Sequence, residues 1–310
     1  VSAWEVLAPG LLTTVQDTGR TGLRHLGVAV AGALDPLAAW LANRLVDNPA
    51  QAAVLELTLR GPTLRLPAPA TIALTGARIQ ARLDGTSIPM GRPVQVPAGT
   101  LVLGGIGDGV RSYLAVAGGF VVTPVLGSRS TDLRGGFGGL EGRALQAGDR
   151  LPVDAPSAIH GRLPHWPRWW VDPTPAPAPI RYVPSTLAAT QALAGTAWRA
   201  SPRSDRQGLR LQGPALPDAP GPGLSEPVAP GTLQLPPDGQ PIVLLADAQT
   251  VGGYPRLGHV IGADLPRLAQ LRPGQPLWFE AVTPAQAQAA ACEVRARMAR
   301  IRLALHAARR

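Results

Sequence analysis

Residues 225–255, SEPVAPGTLQLPPDGQPIVLLADAQTVGGYP, leave this stretch little choice but a β-hairpin. Residues 232–235 read as one strand, and Pro236, Pro237, Asp238 and Gly239 supply a tight turn. Residues 241–246 form a second, wholly apolar strand. Past its end come Asp247, Gln249 and Thr250, then Gly252, Gly253 and Tyr254. A buried strand that delivers carboxylate, amide, hydroxyl and glycine to its tip builds a site on a rigid scaffold. The same residues also suit a polar glycine loop that only closes the hairpin.

A second polar block spans residues 9–35, PGLLTTVQDTGRTGLRHLGVAVAGALD, where Gln16, Asp17, Arg20 and His25 lie among glycines and short apolar runs. Strands are expected at residues 72–74, 79–83, 94–96 and 113–117, with Asp84-Gly85 as a hairpin turn between two of them. A helix is expected over residues 36–46. Asp35 caps it, Pro36 suits its first turn, and Leu37, Trp40, Leu41 and Leu45 form its apolar face. Asn48-Pro49 ends it. From residue 154 the chain becomes proline-rich, and Thr174 to Pro179 alternates proline with small residues, which keeps the backbone extended. This reads as a linker, pinned to a domain surface by Trp166, Trp169 and Trp170. A brief helix over residues 187–194 precedes Trp198. A long helix over residues 284–308 carries Ala287, Ala291, Val294, Met298, Ile301 and Leu305 as a stripe. The expected fold is mainly β with a few helices. It has two β-barrel-like domains, residues 1–153 and 181–310, joined by a linker over 154–180 and ending in the C-terminal helix.

The chain has 310 residues, enough for two cores. It contains no lysine, so all 29 of its cationic side chains are arginine. That excludes a Walker lysine, a Schiff-base amine and a biotinyl-lysine from this chain. No apolar run reaches the roughly 18 residues of a membrane span and no signal peptide is evident. With Cys292 as its one cysteine, the sequence points to the cytoplasm. The net charge of +9 is partly local, with six arginines and no acid over residues 295–310. Without interleaved aromatics or a binding motif, that face fits a solvated surface or an acidic protein partner better than nucleic acid.

The polar residues suggest oxyanion and amide chemistry. Arg20 and Arg129 sit in Gly/Ser/Thr loops suited to holding negative oxygen. The segment Leu126-Gly127-Ser128-Arg129-Ser130-Thr131 offers hydroxyls and a guanidinium to a carboxylate or phosphate; a structural arginine bonding loop carbonyls is the alternative. Gln16, Asn43, Gln234 and Gln249 each donate and accept through one amide. Asn43, inside a helix, fits a helix-to-loop hydrogen bond equally well. His25 and His259 suit proton transfer, with a structural role for each as the alternative. Glu56 and Glu226 suit a general base, or an acidic partner for the arginines of Arg203-Ser204-Asp205-Arg206. No cysteine–histidine cluster suggests a metal.

These two polar blocks and the RSDR segment resemble the biotin-dependent carboxyltransferase family. It includes the C subunit of bacterial ATP-dependent 5-oxoprolinase, the KipA-type proteins and the carboxyltransferase segment of urea carboxylase. Leu74-Thr75-Gly76-Ala77, Tyr113 to Gly119, the 126–131 loop and Glu141-Gly142-Arg143-Ala144-Leu145 extend the likeness over residues 5–280. The resemblance implies two cyclophilin-like barrels with a site in the cleft between them. It implies catalytic roles for Gln16, Asp17, Arg20, His25, Glu226 and Gln249. Substrate binding is implied for Asn43, Thr75, Gly76, Arg129, Ser130 and Thr131 in the first half, and for Ser225, Gln234, Thr250, Gly252, Gly253 and Tyr254 in the second. The implied activity is ATP-dependent opening of 5-oxoproline to glutamate with A-type and B-type partner subunits, the chain being inactive alone and open to self-association. The alternatives are carboxyl transfer to a urea-like amide, with biotin on a separate carrier, and a KipA-type regulator that antagonises a kinase inhibitor. The sequence departs from the family at Thr21, Leu23, Gln207 and Val251, where proline, tyrosine, methionine and threonine are usual.

Overall fold

The computed structural model describes residues 2–154, 167–171, 178–185, 189–216, 221 and 223–308. The chain forms two compact units. One comprises residues 1–20 and 31–174, the other residues 21–30 and 175–310. The chain thus leaves the first unit after Arg20 and re-enters it at Ala31, which a contiguous boundary at residue 153 does not capture.

The first unit is antiparallel throughout. A six-stranded sheet runs in the order Arg150–Val153, Ser2–Ala8, Thr63–Leu66, Gly99–Ile106, Ile79–Leu83, Thr86–Ser87. A five-stranded sheet has the order Leu12–Gln16, Val54–Thr58, Arg111–Val116, Ala70–Gly76, Val94–Val96. Inward side chains of both sheets share one core, including Trp4, Val15, Leu55, Leu64, Ile72, Leu101 and Leu114. Burial of these faces is what stabilises the unit. Trp4 meets Phe120 edge to face at 5.7 Å. The chain passes from the first sheet to the second at Pro9-Gly10. A Cβ on Gly10 would lie 2.5 Å from the Arg60 carbonyl and its φ is +75°, so only glycine fits this corner.

The turn at Asp84-Gly85 forms with positive φ at both residues, but it joins Ile79–Leu83 to Thr86–Ser87. The expected partner, Val94–Val96, pairs instead with Ala70–Gly76 in the other sheet. Asp84 explains the tie to its own sheet, because its carboxylate accepts from the Thr100 amide at 2.9 Å.

The helix Pro36–Leu45 starts as expected, with Asp35 accepting from the Ala38 amide at 3.0 Å. Its packed face differs from the expected one. Ala38, Ala42, Leu41 and Leu45 are buried, while Leu37 and Trp40 are only half-buried. Small residues let the helix lie close to the sheet, near enough for the Thr75 hydroxyl to donate to the Ala38 carbonyl at 2.7 Å. Asn48 ends the helix by donating to the Val116 carbonyl and accepting from the Gly118 amide, each at 2.8 Å.

The second unit contains an eight-stranded sheet. Its order is Pro276–Leu277, Trp198–Ala200, Gly208–Gln212, Ile242–Leu244, Thr232–Gln234, Arg256–Val260, Ile180–Pro184, Phe279–Ala281. Its two end strands are separated in sequence by Trp278 alone, so the sheet must curl until its edges nearly meet, giving a nearly closed barrel. The expected hairpin is present, with Leu233 opposite Val243 and Gln234 opposite Ile242. The short helix spans Ala189–Ala194, and residues 186–188 of the expected helix lie outside the described residues. So do residues 155–166 and 172–177 of the expected linker, with Trp166 among them. Of its described part, Val171 donates to the Gly91 carbonyl at 2.8 Å and Trp170 lies under the Arg92 guanidinium, which pins it to the first unit.

The C-terminal helix spans Pro284–Ala308, and its start carries a capping box that the sequence pattern did not reveal. Thr283 Oγ1 accepts from the Gln286 amide at 3.2 Å, and Gln286 Oε1 accepts from the Thr283 amide at 2.8 Å. Ala290 and Leu305 are its buried residues, and the rest of the expected stripe is only half-buried. Ala290, with partly buried Ala287, packs against Ile261 and Val282. No described helix is long and apolar enough to cross a membrane.

Glu56 lies within Val54–Thr58, buried, and accepts from the Leu34 amide and the Tyr113 hydroxyl, both at 2.8 Å. Its ion-pair partner is Arg111 at 3.7 Å, not an arginine of the RSDR segment. Tyr113 in turn accepts from the Asp35 amide at 2.8 Å. Burial, reinforced by the Glu56 charge, raises the Tyr113 pKa well above the ordinary phenol range. This network fixes the chain where it re-enters the first unit. Tyr113→Phe is expected to cost about 1–3 kcal/mol, since it strips a partner from two buried groups. Urea denaturation of the variant, monitored by tryptophan fluorescence, gives that difference directly.

Candidate functional site

In the first unit the strand Leu12–Gln16 delivers Asp17, 7% exposed, to the 126–131 loop. Ser128 Oγ and Ser130 Oγ donate to Asp17 Oδ1 at 2.5 and 2.6 Å. The Arg129 amide donates to Oδ2 at 2.6 Å, and the Gly19 amide to Oδ1 at 2.8 Å. The loop is therefore the oxyanion cradle that its sequence suggested, and the carboxylate in it belongs to the chain. Thr131 is equally committed, its hydroxyl donating to the Val15 carbonyl at 3.0 Å.

Arg20 takes the structural role considered for Arg129. It donates through Nε to the Val125 carbonyl at 3.1 Å and through Nη2 to the Ser130 carbonyl at 2.7 Å. Phe137 covers it, with the guanidinium 4.7 Å from the ring centroid. Arg129 keeps a half-exposed side chain on this fixed loop. Gln16 donates to Thr14 Oγ1 at 3.0 Å and to the Thr131 carbonyl at 3.2 Å, while its buried Oε1 has no hydrogen-bond partner among the described residues. Asn43 donates to the Ala50 and Ala52 carbonyls and accepts from Asn48, so its amide works as a helix-to-loop tie. Thr75 is spent on Ala38. Gly76, at φ +81°, has no room for a Cβ beside the Arg111 carbonyl 2.6 Å away.

In the second unit the RSDR segment becomes a turn and a strut. Asp205 Oδ1 accepts from the Gln207 and Gly208 amides. Arg206 forks onto Asp247 at 2.8 and 2.9 Å, both side chains buried. This pair fixes the strand-end block at its first residue. Gln234 is 1% exposed, and its Nε2 has no hydrogen-bond partner among the described residues. That nitrogen lies 2.6 Å from where a Cβ on Gly252 would stand, and the Gln249 Nε2 lies 3.6 Å from the same point. The Gln234 amide thus packs directly on Gly252, which leaves no room for a side chain there. Gly253 borders Ser225, whose Oγ is 3.8 Å from the position a Cβ would take there. Thr250 contributes its carbonyl to the Val228 amide at 3.0 Å. Tyr254 is exposed. Glu226, exposed, pairs with Arg256 at 2.5 Å.

One residue that the motifs did not single out is Arg24, in the 21–30 segment. Its Nη2 donates to the Val228 carbonyl and, at 2.9 Å, to the Gln249 carbonyl. Its Nη1 is buried without a hydrogen-bond partner among the described residues. Burial pushes its pKa below the ordinary guanidinium range. The available signal was a lone arginine in a polar block, which Arg20 outshone because its neighbours were glycines. His25, next to Arg24 in the turn Arg24–Leu26, is exposed. His259 stands on Arg256–Val260 opposite Thr232, Nδ1 to Oγ1 3.5 Å, and desolvation lowers its pKa below the ordinary histidine value.

Together, the β architecture and polar strand ends define a carboxyltransferase-type module. The chain belongs to the family described as carboxyltransferase domain, subdomain A and B, whose model matches residues 26–281. It is similar to the C subunit of the Escherichia coli K12 5-oxoprolinase, 43% identical over 279 residues that cover 89% of this chain and 90% of that protein. Among solved structures it resembles TTHA0988 (TM-score 0.81, 42% identity), covering 91% of this chain and 56% of that one. It also resembles the Kluyveromyces lactis urea carboxylase (TM-score 0.81, 30% identity), covering 92% of this chain and 28% of that one. The chain therefore spans little more than half of the first solved relative and about a quarter of the second.

Asp17→Ala is expected to lower stability by about 2–4 kcal/mol, because it leaves buried hydroxyls and amides without their acceptor. Thermal melting of the variant measures this. His259, neutral at pH 7, is expected to titrate below pH 6.5, which an NMR titration of its imidazole protons reads against His25 in the same unit. By linkage, the unfolded chain binds that proton first, so stability falls as the pH drops through 6.5 and levels off below the folded pKa.

Proposed function

We propose that this chain is the C subunit of an ATP-dependent 5-oxoprolinase, acting with A-type and B-type partner subunits on a small cyclic amide. The observation that carries this reading is the 43% identity to the C subunit of a 5-oxoprolinase over nine-tenths of both chains. The carboxyltransferase family membership supports a role in handling carbonyl and carboxylate oxygen.

Within this reading the polar groups divide by task. Asp17 and Arg20 hold the 126–131 loop in shape and present the Arg129 guanidinium. Gln234, Gln249 and Gly252 of the second unit bind substrate. His259, neutral at working pH, and the exposed His25 and Glu226 are the groups able to move protons. Opening a lactam places negative charge on the amide oxygen, which N–H donors of this kind stabilise.

The residues do not fit a triphosphate. There is no lysine, and the Ser128 and Ser130 hydroxyls are already on Asp17. ATP is accordingly assigned to the partner subunits. The largely exposed, arginine-rich C-terminal helix is the face assigned to a partner subunit, with attraction that weakens as salt rises.

The chain co-purified with its partner subunits is expected to release glutamate from 5-oxoproline in the presence of ATP, and the chain alone is expected to release none. Absence of glutamate from the complete complex rejects the reading. Truncation after residue 284 is expected to weaken partner binding in the folded fraction. Unchanged affinity there makes the helix architecture alone.

A further inference from the structure

Glu226–Pro227 and Val251–Gly252 form a two-stranded ribbon that stands apart from the eight-stranded sheet of the second unit. Glu226 lies opposite Gly252 and Pro227 opposite Val251. The Gly223 and Val228 amides extend the ladder to the Gly253 and Thr250 carbonyls, at 2.8 and 3.0 Å. Two strands without a third are marginal in water, so the ribbon takes its position from what grips its base. Little of it is buried. Leu224 is 92% exposed and Val251 54%, and Glu226 and Pro227 are exposed as well. At the base, Val228 and Ala248 pack with Leu244 in a small core cluster.

Arg24 closes that base. Its Nη2 donates both to the Val228 carbonyl and, at 2.9 Å, to the Gln249 carbonyl, where the two strands leave the ladder. Among the described residues these carbonyls have no other donor. Among them, too, every hydrogen bond from residues 21–30 to the rest of the second unit comes from Arg24. The turn Arg24–Leu26 leaves His25 and Leu26 exposed and spends only this side chain on the ribbon. Arg206 forks onto Asp247 two residues before Gln249, so the incoming strand is gripped twice. The two grips differ in kind. Arg206 meets a carboxylate, whereas Arg24 makes no ion pair among the described residues and spans two backbone carbonyls instead. A charged donor holds such carbonyls about twice as strongly as a neutral one, and what it fixes is backbone position.

We infer that Arg24 is a positioning residue, which pins the ribbon of residues 223–228 and 249–253 in the geometry that presents Gln249 and Gly252 to substrate. It acts through the Gln249 backbone and the ladder, and touches no substrate itself. The inference deepens the proposed function and rests on it for the identity of that substrate. Loss of the pin frees both strand ends at the base and lets the ladder fray, while the barrel keeps its own core.

The test uses two variants of the full chain. Arg24→Met keeps the length of the side chain and removes its donors. Arg24→Lys keeps one charged nitrogen able to bridge the two carbonyls. Hydrogen exchange read by mass spectrometry is expected to run about tenfold faster in Arg24→Met over residues 223–228 and 249–253, with the barrel strands unchanged. In the complex with its partner subunits, Arg24→Met is expected to raise KM for 5-oxoproline about tenfold and to change kcat less than about threefold. Arg24→Lys is expected to bring exchange and KM to within about threefold of the unaltered chain. Ribbon exchange unchanged in Arg24→Met overturns the assignment, and so does a barrel that loses protection along with the ribbon. A lysine that restores neither readout overturns it too. If the complex is active and Arg24→Met leaves KM unchanged, the positioning role fails while the function stands. If the unaltered complex releases no glutamate, the function fails and the exchange data alone decide the pin.

Discussion

The first unit depends on where one carboxylate goes. Asp17 follows the last residue of an edge strand of the five-stranded sheet, and its two oxygens hold Ser128, Arg129, Ser130 and Gly19. Its own carbonyl accepts from the Ala33 amide at 3.0 Å. A single residue therefore ties down the 126–131 loop and also closes the neck of the excursion over residues 21–30. Gly32 completes the neck, since a Cβ there would press on the Gly19 amide at 2.9 Å. A buried carboxylate tolerates this position because its oxygens are met by short hydroxyl and amide donors. Without it the loop would expose several desolvated donors at once, and the segment carrying Arg24 would lose its fixed ends.

What the sequence made legible was local. The helix at residue 36 announced itself through a cap, a proline and a period. The hairpin at 232–244 did so through its turn chemistry, and the C-terminal helix through length and composition. These signals act over a few residues, and neighbouring side chains suffice to set them. What stayed hidden was set by contacts distant in sequence. Asp84-Gly85 was readable as a turn, but its second strand was not, because sheet membership is decided by pairing with Thr100 and its neighbours. The hydroxyls of Ser128 and Ser130 were legible as anion ligands, and the anion they serve lies more than 110 residues earlier. Motif spacing identifies what a loop can hold. It does not reveal that the chain already holds it.

Arginine without lysine also has a structural sense here. Arg20 spans the Val125 and Ser130 carbonyls, Arg24 spans Val228 and Gln249, Arg267 reaches Ala178 and Pro179, and Arg199 reaches Gly274. Each reaches carbonyls that lie outside the named strands. A planar fork bridges two such acceptors at fixed separation, which a point-charged ammonium does less well. Genomic composition can fill a surface with arginine, but it does not arrange guanidinium groups against paired loop carbonyls. The proline and glycine content that keeps the strands short creates those carbonyls in the first place, so the two biases of this sequence answer one another.

The two units also repeat a local device. Thr14-Val15-Gln16 and Thr232-Leu233-Gln234 each end a core strand in a buried glutamine two residues after a buried threonine. In each, one amide atom is left without a partner among the described residues: Oε1 at Gln16, Nε2 at Gln234. The alternation of a strand puts threonine and glutamine on the same face, so the pattern is a polar stripe within otherwise apolar barrels. A protein that needed only a core would place leucine there, at lower cost in desolvation. The carboxylates nearby diverge, since Asp17 is held by hydroxyls and Asp247 by a guanidinium.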